Sequence, residues 1–198
     1  MARVVTADRV VYDHRKMLEP SVEIAILAPA AADDARLMAA VTELVNDVYA
    51  ASEHGLWVDG ATRTNLGEVQ AIARAGELVV ARAATALVGT VRFRQLAAEL
   101  SEFGMLTAAP GHRGTGVGRR LVEFVERRSL EAGRTTMQLE LLVPRTWSHP
   151  SKQFLATWYG RIGYRRVRAG LIEETHPLLA PLLATPCDLD VYHKALRP

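Results

Sequence analysis

The sequence predicts a single α/β domain built on a mixed, mostly antiparallel sheet, and three of its features predict that class. Across residues 102–120 an apolar strand breaks at Pro110 and Gly111, passes through Arg113-Gly-Thr-Gly-Val-Gly118, and enters a helix with apolar residues at Leu121, Phe124 and Val125. Residues 77–83 and 86–96 are two runs rich in Val, Phe and Thr joined by a short turn, the spacing of an antiparallel hairpin. A further strand at 136–143 follows the helix that starts near Gly116, so the sheet turns parallel at that crossover.

Taken in order, residues 1–20 have no clean periodicity and end at Pro20, which makes them an N-terminal extension ahead of a domain spanning 21–198. Residues 22–27 form the first strand. Asp33-Asp34 opens a helix whose apolar face is Leu37, Val41, Leu44, Val45, Val48 and Tyr49. His54-Gly-Leu-Trp-Val-Asp-Gly60 is a loop carrying an exposed-looking Trp57, and Asn65-x-x-Glu68 is a capping-box pattern that starts a short helix. The helix near Gly116 stops at Gly133. Trp147-Ser-His-Pro-Ser151 is a connector, and the helix after it places Phe154, Leu155, Trp158, Tyr159 and Ile162 on one face until Gly163. Residues 164–168 are strand. His176-Pro177, Pro181 and Pro186 punctuate a leucine-rich piece, and 187–195 close a sheet of six to seven strands flanked by helices.

Composition narrows the function. The 198 residues suit one core, 49% are apolar, and no run approaches the roughly 18 apolar residues of a membrane helix. The only cysteine is Cys187, which removes intrachain disulfides and cysteine-based zinc sites; a reducing, cytoplasmic setting follows most simply, with Cys187 a buried strand residue. A net charge of +2 does not announce a nucleic-acid partner, although all but three of the 24 basic residues are Arg, the cation better shaped for phosphate. His112, His149 and His176 each neighbour Gly or Pro in loops, which reads as solvated surface, and they do not form a metal spacing.

The glycine-rich turn has a physical use. The first amides of a helix lack partners and carry the positive end of its dipole, so they attract phosphate, and glycines let the phosphate approach. The turn is no Walker loop, because Val117 and Gly118 replace Lys and Ser/Thr, and no Rossmann loop, because Arg119 stands where the third glycine belongs.

Arg113-x-x-Gly116-x-Gly118 instead resembles the acetyl-coenzyme A signature of the GNAT N-acetyltransferase superfamily. Tyr159-Gly-Arg-Ile-Gly-Tyr164, in the right order behind it, is similar to that superfamily's Tyr-x-x-x-Gly-Phe/Tyr motif. The resemblance implies a sheet splayed between the strands before and after the long helix, with acetyl-coenzyme A as co-substrate in the splay. It implies cofactor contacts at Arg113, Gly114, Thr115, Gly116, Val117, Gly118 and Arg119. Further contacts fall on Leu106, Thr107 and Ala108, where a bulge exposes backbone amides. Lys152 is a further cofactor-contact candidate, although it departs from the pattern by standing where many members have Asn seven residues before the tyrosine. The loop between the first two helices lines the acceptor site in such proteins, which makes Trp57, Asp59 and Arg63 candidates for substrate contact.

The implied reaction is direct acetyl transfer to a primary amine of a small molecule or peptide. An alkylammonium must lose a proton before it attacks, and two carboxylates qualify as base. Glu102 stands four residues before Leu106, where histone-acetylating relatives have a catalytic glutamate. Glu140 interrupts the apolar strand 136–143, where ribosomal-protein acetyltransferases have theirs. Partial burial should raise the pKa of Glu140 toward the useful range, whereas pairing with Arg is the structural alternative for either residue. Tyr159 is placed to protonate the departing thiolate. A non-catalytic coenzyme A-binding regulatory module is the alternative function, and a homodimer through the last strands is open, with the leucines of 178–183 as one contact.

Overall fold

The computed structural model describes residues 21–197, so the extension expected at 1–20 lies outside the described residues. Seven strands form one sheet in the order β1-β2-β3-β4-β5-β7-β6: β1 Val22–Ile26, β2 Leu78–Ala83, β3 Ala86–Gln95, β4 Leu100–Ala108, β5 Thr136–Pro144, β6 Arg165–Leu171 and β7 Cys187–Ala195. Only β4 and β5 run parallel; the other neighbours are antiparallel, as expected of a sheet whose main crossover is the long helix.

Helices cover both faces. On one, α1 Ala35–Ser52 and α2 Leu66–Arg74 bury Met38, Val41, Val45, Val69 and Ile72 against Leu78, Val80 and Met105. On the other, α3 Val117–Glu131 and α4 Pro150–Arg161 pack Leu121, Val122, Val125 and Tyr159 on Val79, Val91, Phe103, Met137 and Leu139. Successive residues of β2 thus enter opposite cores, the strand's period of two at work. A third cluster, under α5 Ile172–Thr175, joins Leu56, Leu142, Ile172, Cys187 and Leu189 and takes in Leu179 and Leu183 at its edge. Leu178 alone points away, 87% exposed.

Local chemistry explains the helix ends. Asp34 caps α1 by accepting from the Leu37 amide at 3.0 Å, and Asn65 caps α2 by accepting from the Glu68 amide at 3.0 Å. The capping box is half made, because the Glu68 carboxylate accepts from the Thr64 hydroxyl at 2.7 Å instead of reaching back to its cap. α4 begins at Pro150, inside the stretch expected to be connector, with His149 as its cap: Nδ1 accepts from the Ser151 amide at 3.2 Å. Proline suits the first turn because its missing N–H has no partner there.

Two features of the sheet place the site. β4 pairs with β5 only from Leu100–Glu102 to Thr136–Gln138, after which the strands part. Opposite β3, the register shifts so that Met105 and Leu106 together face Val91, and Met105 adopts φ 51°, a left-handed conformation rare for a side-chain-bearing residue. The bulge bends β4 away from β5.

β3 must also approach α3 closely. A Cβ at Gly89 would stand 2.8 Å from the Thr107 carbonyl oxygen, 2.9 Å from Val117 Cγ1 and 3.0 Å from Leu121 Cδ1. Gly89→Ala should therefore cost about 1–3 kcal/mol by overpacking, read as a lowered midpoint in urea with an unchanged slope. An unchanged midpoint would mean that α3 can shift freely.

Candidate active site

A cavity of about 200 Å³ opens where β4 and β5 separate. Its walls come from the end of α1, the loop and first turn of α2, the β4 bulge, the middle of β5, one face of α4, and α5 with His176. Lys152, Leu155 and Tyr159 share that α4 face by helical spacing.

The phosphate-type turn lies at the β4–α3 junction. Gly114 and Gly116 have φ 78° and 88°, conformations that glycine adopts without a Cβ clash, and Gly116 is the N-cap of α3. No side chain caps that helix, so its first amides keep their donors free. A Cβ built at Gly111, Gly114, Gly116 or Gly118 meets nothing within 4 Å, while Arg113 and Arg119 are exposed on either side. Thr115 donates its hydroxyl to the His112 carbonyl at 2.8 Å, which fixes the turn.

Glu102 is buried with both oxygens engaged. Oε1 lies 2.6 Å from a terminal guanidinium nitrogen of Arg94, and Oε2 accepts from the Gln138 amide at 2.7 Å. The Gln138 oxygen in turn lies 2.9 Å from His193 Nε2. The four residues are register partners on β3, β4, β5 and β7, so their side chains form a ladder across the sheet at the last point where β4 and β5 touch. Burial and Arg168 hold the His193 imidazole below its usual pKa, consistent with a neutral ring donating to Gln138.

Glu140 corrects one expectation. Its pKa is lowered instead of raised, because the hydrogen bond with His176, at 2.7 Å from Nε2 to Oε2, outweighs desolvation, and Arg94 and Arg168 add to it. His176 is accordingly no solvated surface residue. It lines the cavity, and with Nε2–H donating to Glu140 its Nδ1 keeps a lone pair that no described residue uses. His149 is likewise buried, its Nε2 3.1 Å from the His54 carbonyl.

Tyr159 lies in an aromatic cluster, its ring centroid 4.9 Å from Trp158, 5.9 Å from Tyr164, 6.1 Å from Phe103 and 6.4 Å from Tyr192. Burial pushes its phenol well above the ordinary value, and the hydroxyl has no hydrogen-bond partner among the described residues. Lys152 is buried and ion-paired with Glu53, whose other oxygen accepts from the Trp57 indole at 2.5 Å. Of the loop candidates, Trp57 and Arg63 reach the cavity, whereas Asp59 is exposed away from it. Sequence reasoning missed Glu53, although a carboxylate four residues after Tyr49 continues the apolar stripe of α1. Nothing local singles out His176 or Arg94, which meet their partners only through the fold.

The parted parallel strand pair and the glycine turn at a helix N-terminus fit the fold that the sequence resemblance implies, and comparisons with known proteins agree on that fold. Residues 74–166 match the family model for the acetyltransferase (GNAT) domain. An aminoglycoside 6'-N-acetyltransferase complexed with coenzyme A superposes with a TM-score of 0.63 at 16% identity, covering 89% of this chain and 98% of that one. The PaiA N-acetyltransferase of Thermoplasma acidophilum, in complex with coenzyme A, gives 0.64 at 13% identity, covering 88% and 99%. YncA of Salmonella typhimurium, with its cofactor acetyl-CoA, gives 0.61 at 14% identity, covering 90% and 95%. At these identities the likeness to solved structures is one of fold. No curated protein matches the chain. Over residues 74–166 the chain is similar to the acetyltransferase (GNAT) domain, and its fold is that of these solved GNAT structures. Among the described residues, no helix is long and apolar enough to cross a membrane.

Proposed function

We propose that this protein transfers the acetyl group of acetyl-coenzyme A directly to a primary amine. The observation that carries the reading is the gap between β4 and β5, with the left-handed backbone of Met105 standing in it and Tyr159 facing it from α4. The residues present fit the co-substrate. Open space fronts the glycines at 111–118, α3 offers uncapped amides, and Arg113 and Arg119 supply positive charge for a pyrophosphate.

Acetyl-coenzyme A supplies a thioester already activated toward amines, so the chain need provide only placement and proton movement. The β4 edge at Leu106, Thr107 and Ala108, having no β5 partner, can hydrogen-bond pantetheine as an added strand would. Backbone donors at the bulge would hold the carbonyl oxygen as it gains charge. For the proton of the amine, the geometry favours His176 backed by Glu140 over Glu102, because Glu102 is held by Arg94 and Gln138. Glu140 fixes the tautomer and stabilises the imidazolium that forms, and Glu102 keeps the closed end of the splay in register. Tyr159 donates to the sulfur. Desolvation of the kind that raises its phenol would also disfavour a thiolate brought against it, which favours proton transfer to the sulfur.

Tyr159→Phe should lower kcat about 100-fold in a thiol-release assay while leaving acetyl-coenzyme A affinity intact. Equal loss of binding and turnover would assign Tyr159 to packing. A wild-type protein that binds acetyl-coenzyme A yet consumes no thioester with any amine would instead be a coenzyme A-binding module.

A further inference from the structure

We propose that the acceptor bears a carboxylate beside its amine, as an amino acid does, and that Arg63 is the residue that binds it. This rests on the N-acetyltransferase reading and adds the acceptor's chemical class.

The argument starts from the charges of the cavity wall. Four cations line it: Arg63, Arg92, Arg94 and Lys152. Three have a carboxylate: Arg92 lies 2.7 Å from Glu77, Arg94 lies 2.6 Å from Glu102, and Lys152 pairs with Glu53. Arg63 has none among the described residues. Its guanidinium rests instead 5.2 Å from the centroid of the Tyr49 ring, which orders the planar group and leaves N–H donors for a ligand. A half-buried guanidinium facing a cavity is the group that takes a carboxylate in a bidentate fashion.

The wall carboxylates do not offer the converse. Glu53, Glu102 and Glu140 are each held by Lys152, Arg94 or His176. Glu68 has no cation, but it accepts from the Thr64 hydroxyl at 2.7 Å and sits in the first turn of α2, where the helix dipole stabilises its charge without a ligand. The unmet electrostatic demand of the wall is therefore for an anion.

Position agrees with charge. Tyr49, under Arg63, lines the same cavity as Tyr159. A carboxylate on Arg63 would thus lie in the same cavity that Tyr159 faces. The cavity of about 200 Å³ is bounded by Arg63 as well as by Tyr159 and the β4 bulge.

The test compares the common amino acids and ornithine, one by one, with the amine left when the carboxyl group is removed, using thiol release from acetyl-coenzyme A. The best amino acid should exceed its decarboxylated partner about 10- to 100-fold in kcat/KM, the range set by one charge-assisted pair. Arg63→Ala should erase that ratio and Arg63→Lys restore part of it, both with unchanged coenzyme A affinity. Calorimetric titration of the best amino acid into coenzyme A-saturated protein should show binding that Arg63→Ala removes. The proposal is overturned if decarboxylated amines or diamines are acetylated as well as the amino acids, or if Arg63→Ala leaves the ratio intact. A diamine preference lost in Glu68→Gln would transfer recognition to that carboxylate, overturning it too. Turnover of no amine by a protein that binds acetyl-coenzyme A defeats the enzymatic reading; titration of each amino acid into that complex then decides about Arg63, with no Arg63-dependent binding overturning this proposal also.

Discussion

Gly118→Glu is expected to weaken acetyl-coenzyme A binding by at least about 100-fold in isothermal titration, with an unchanged circular dichroism spectrum. Gly118 lies in the first turn of α3, and a side chain there meets no protein atom within 4 Å of its Cβ. The new carboxylate would share the space that the glycines leave for phosphate. Two like charges about 5 Å apart repel by about 3 kcal/mol at the effective dielectric of a protein surface, which alone exceeds a factor of 100. The fold should not suffer, because an acidic residue near a helix N-terminus is favoured by the dipole. Gly116 is the poorer position for this test: with φ 88° any side chain strains the backbone, and lost binding would not separate charge from distortion. Unaltered affinity in Gly118→Glu would remove residues 113–119 from the cofactor site and leave them a plain turn.

What the sequence disclosed and what it withheld divide along a physical line. The strand, glycine turn and helix at 102–120 are legible because each depends on neighbours within a few residues: periodicity, helix breakers and positive-φ glycines. The parallel step from β4 to β5 follows from a helix lying between them. Tyr159 is legible through a local motif. The Arg94–Glu102–Gln138–His193 ladder is not, since it exists only once four strands are in register, and a one-residue slip would turn each member to the other face. The expected rise in the pKa of Glu140 failed for the same reason. Burial of the strand was readable, but His176, 36 residues further on, arrives through the turn after α5 and reverses the sign. A charged residue in an apolar strand announces that a partner exists without naming it.

Lys152 shows how such a partner sets stability, and Lys152→Met is expected to destabilise the protein by about 3–5 kcal/mol. Lys152 and Glu53 are each only 5% exposed, so removing the ammonium leaves a carboxylate with the Trp57 indole as its remaining side-chain donor. The cost lies in that stranded charge. Replacing both partners, Glu53→Gln with Lys152→Met, should therefore recover most of the loss, although each single change is severe. The pair also closes a seam. The Ser151 hydroxyl donates to the Ser52 carbonyl and His149 Nε2 reaches the His54 carbonyl, so three contacts in sequence join the end of α1 to the start of α4. Loss of the ion pair should loosen that wall of the cavity first, seen as faster amide exchange at residues 53–57 before global unfolding. Urea titration of the two single variants and the double variant decides the matter. A double variant as unstable as Lys152→Met alone would show that Lys152 acts through the packing of its stem on α4 and not through Glu53.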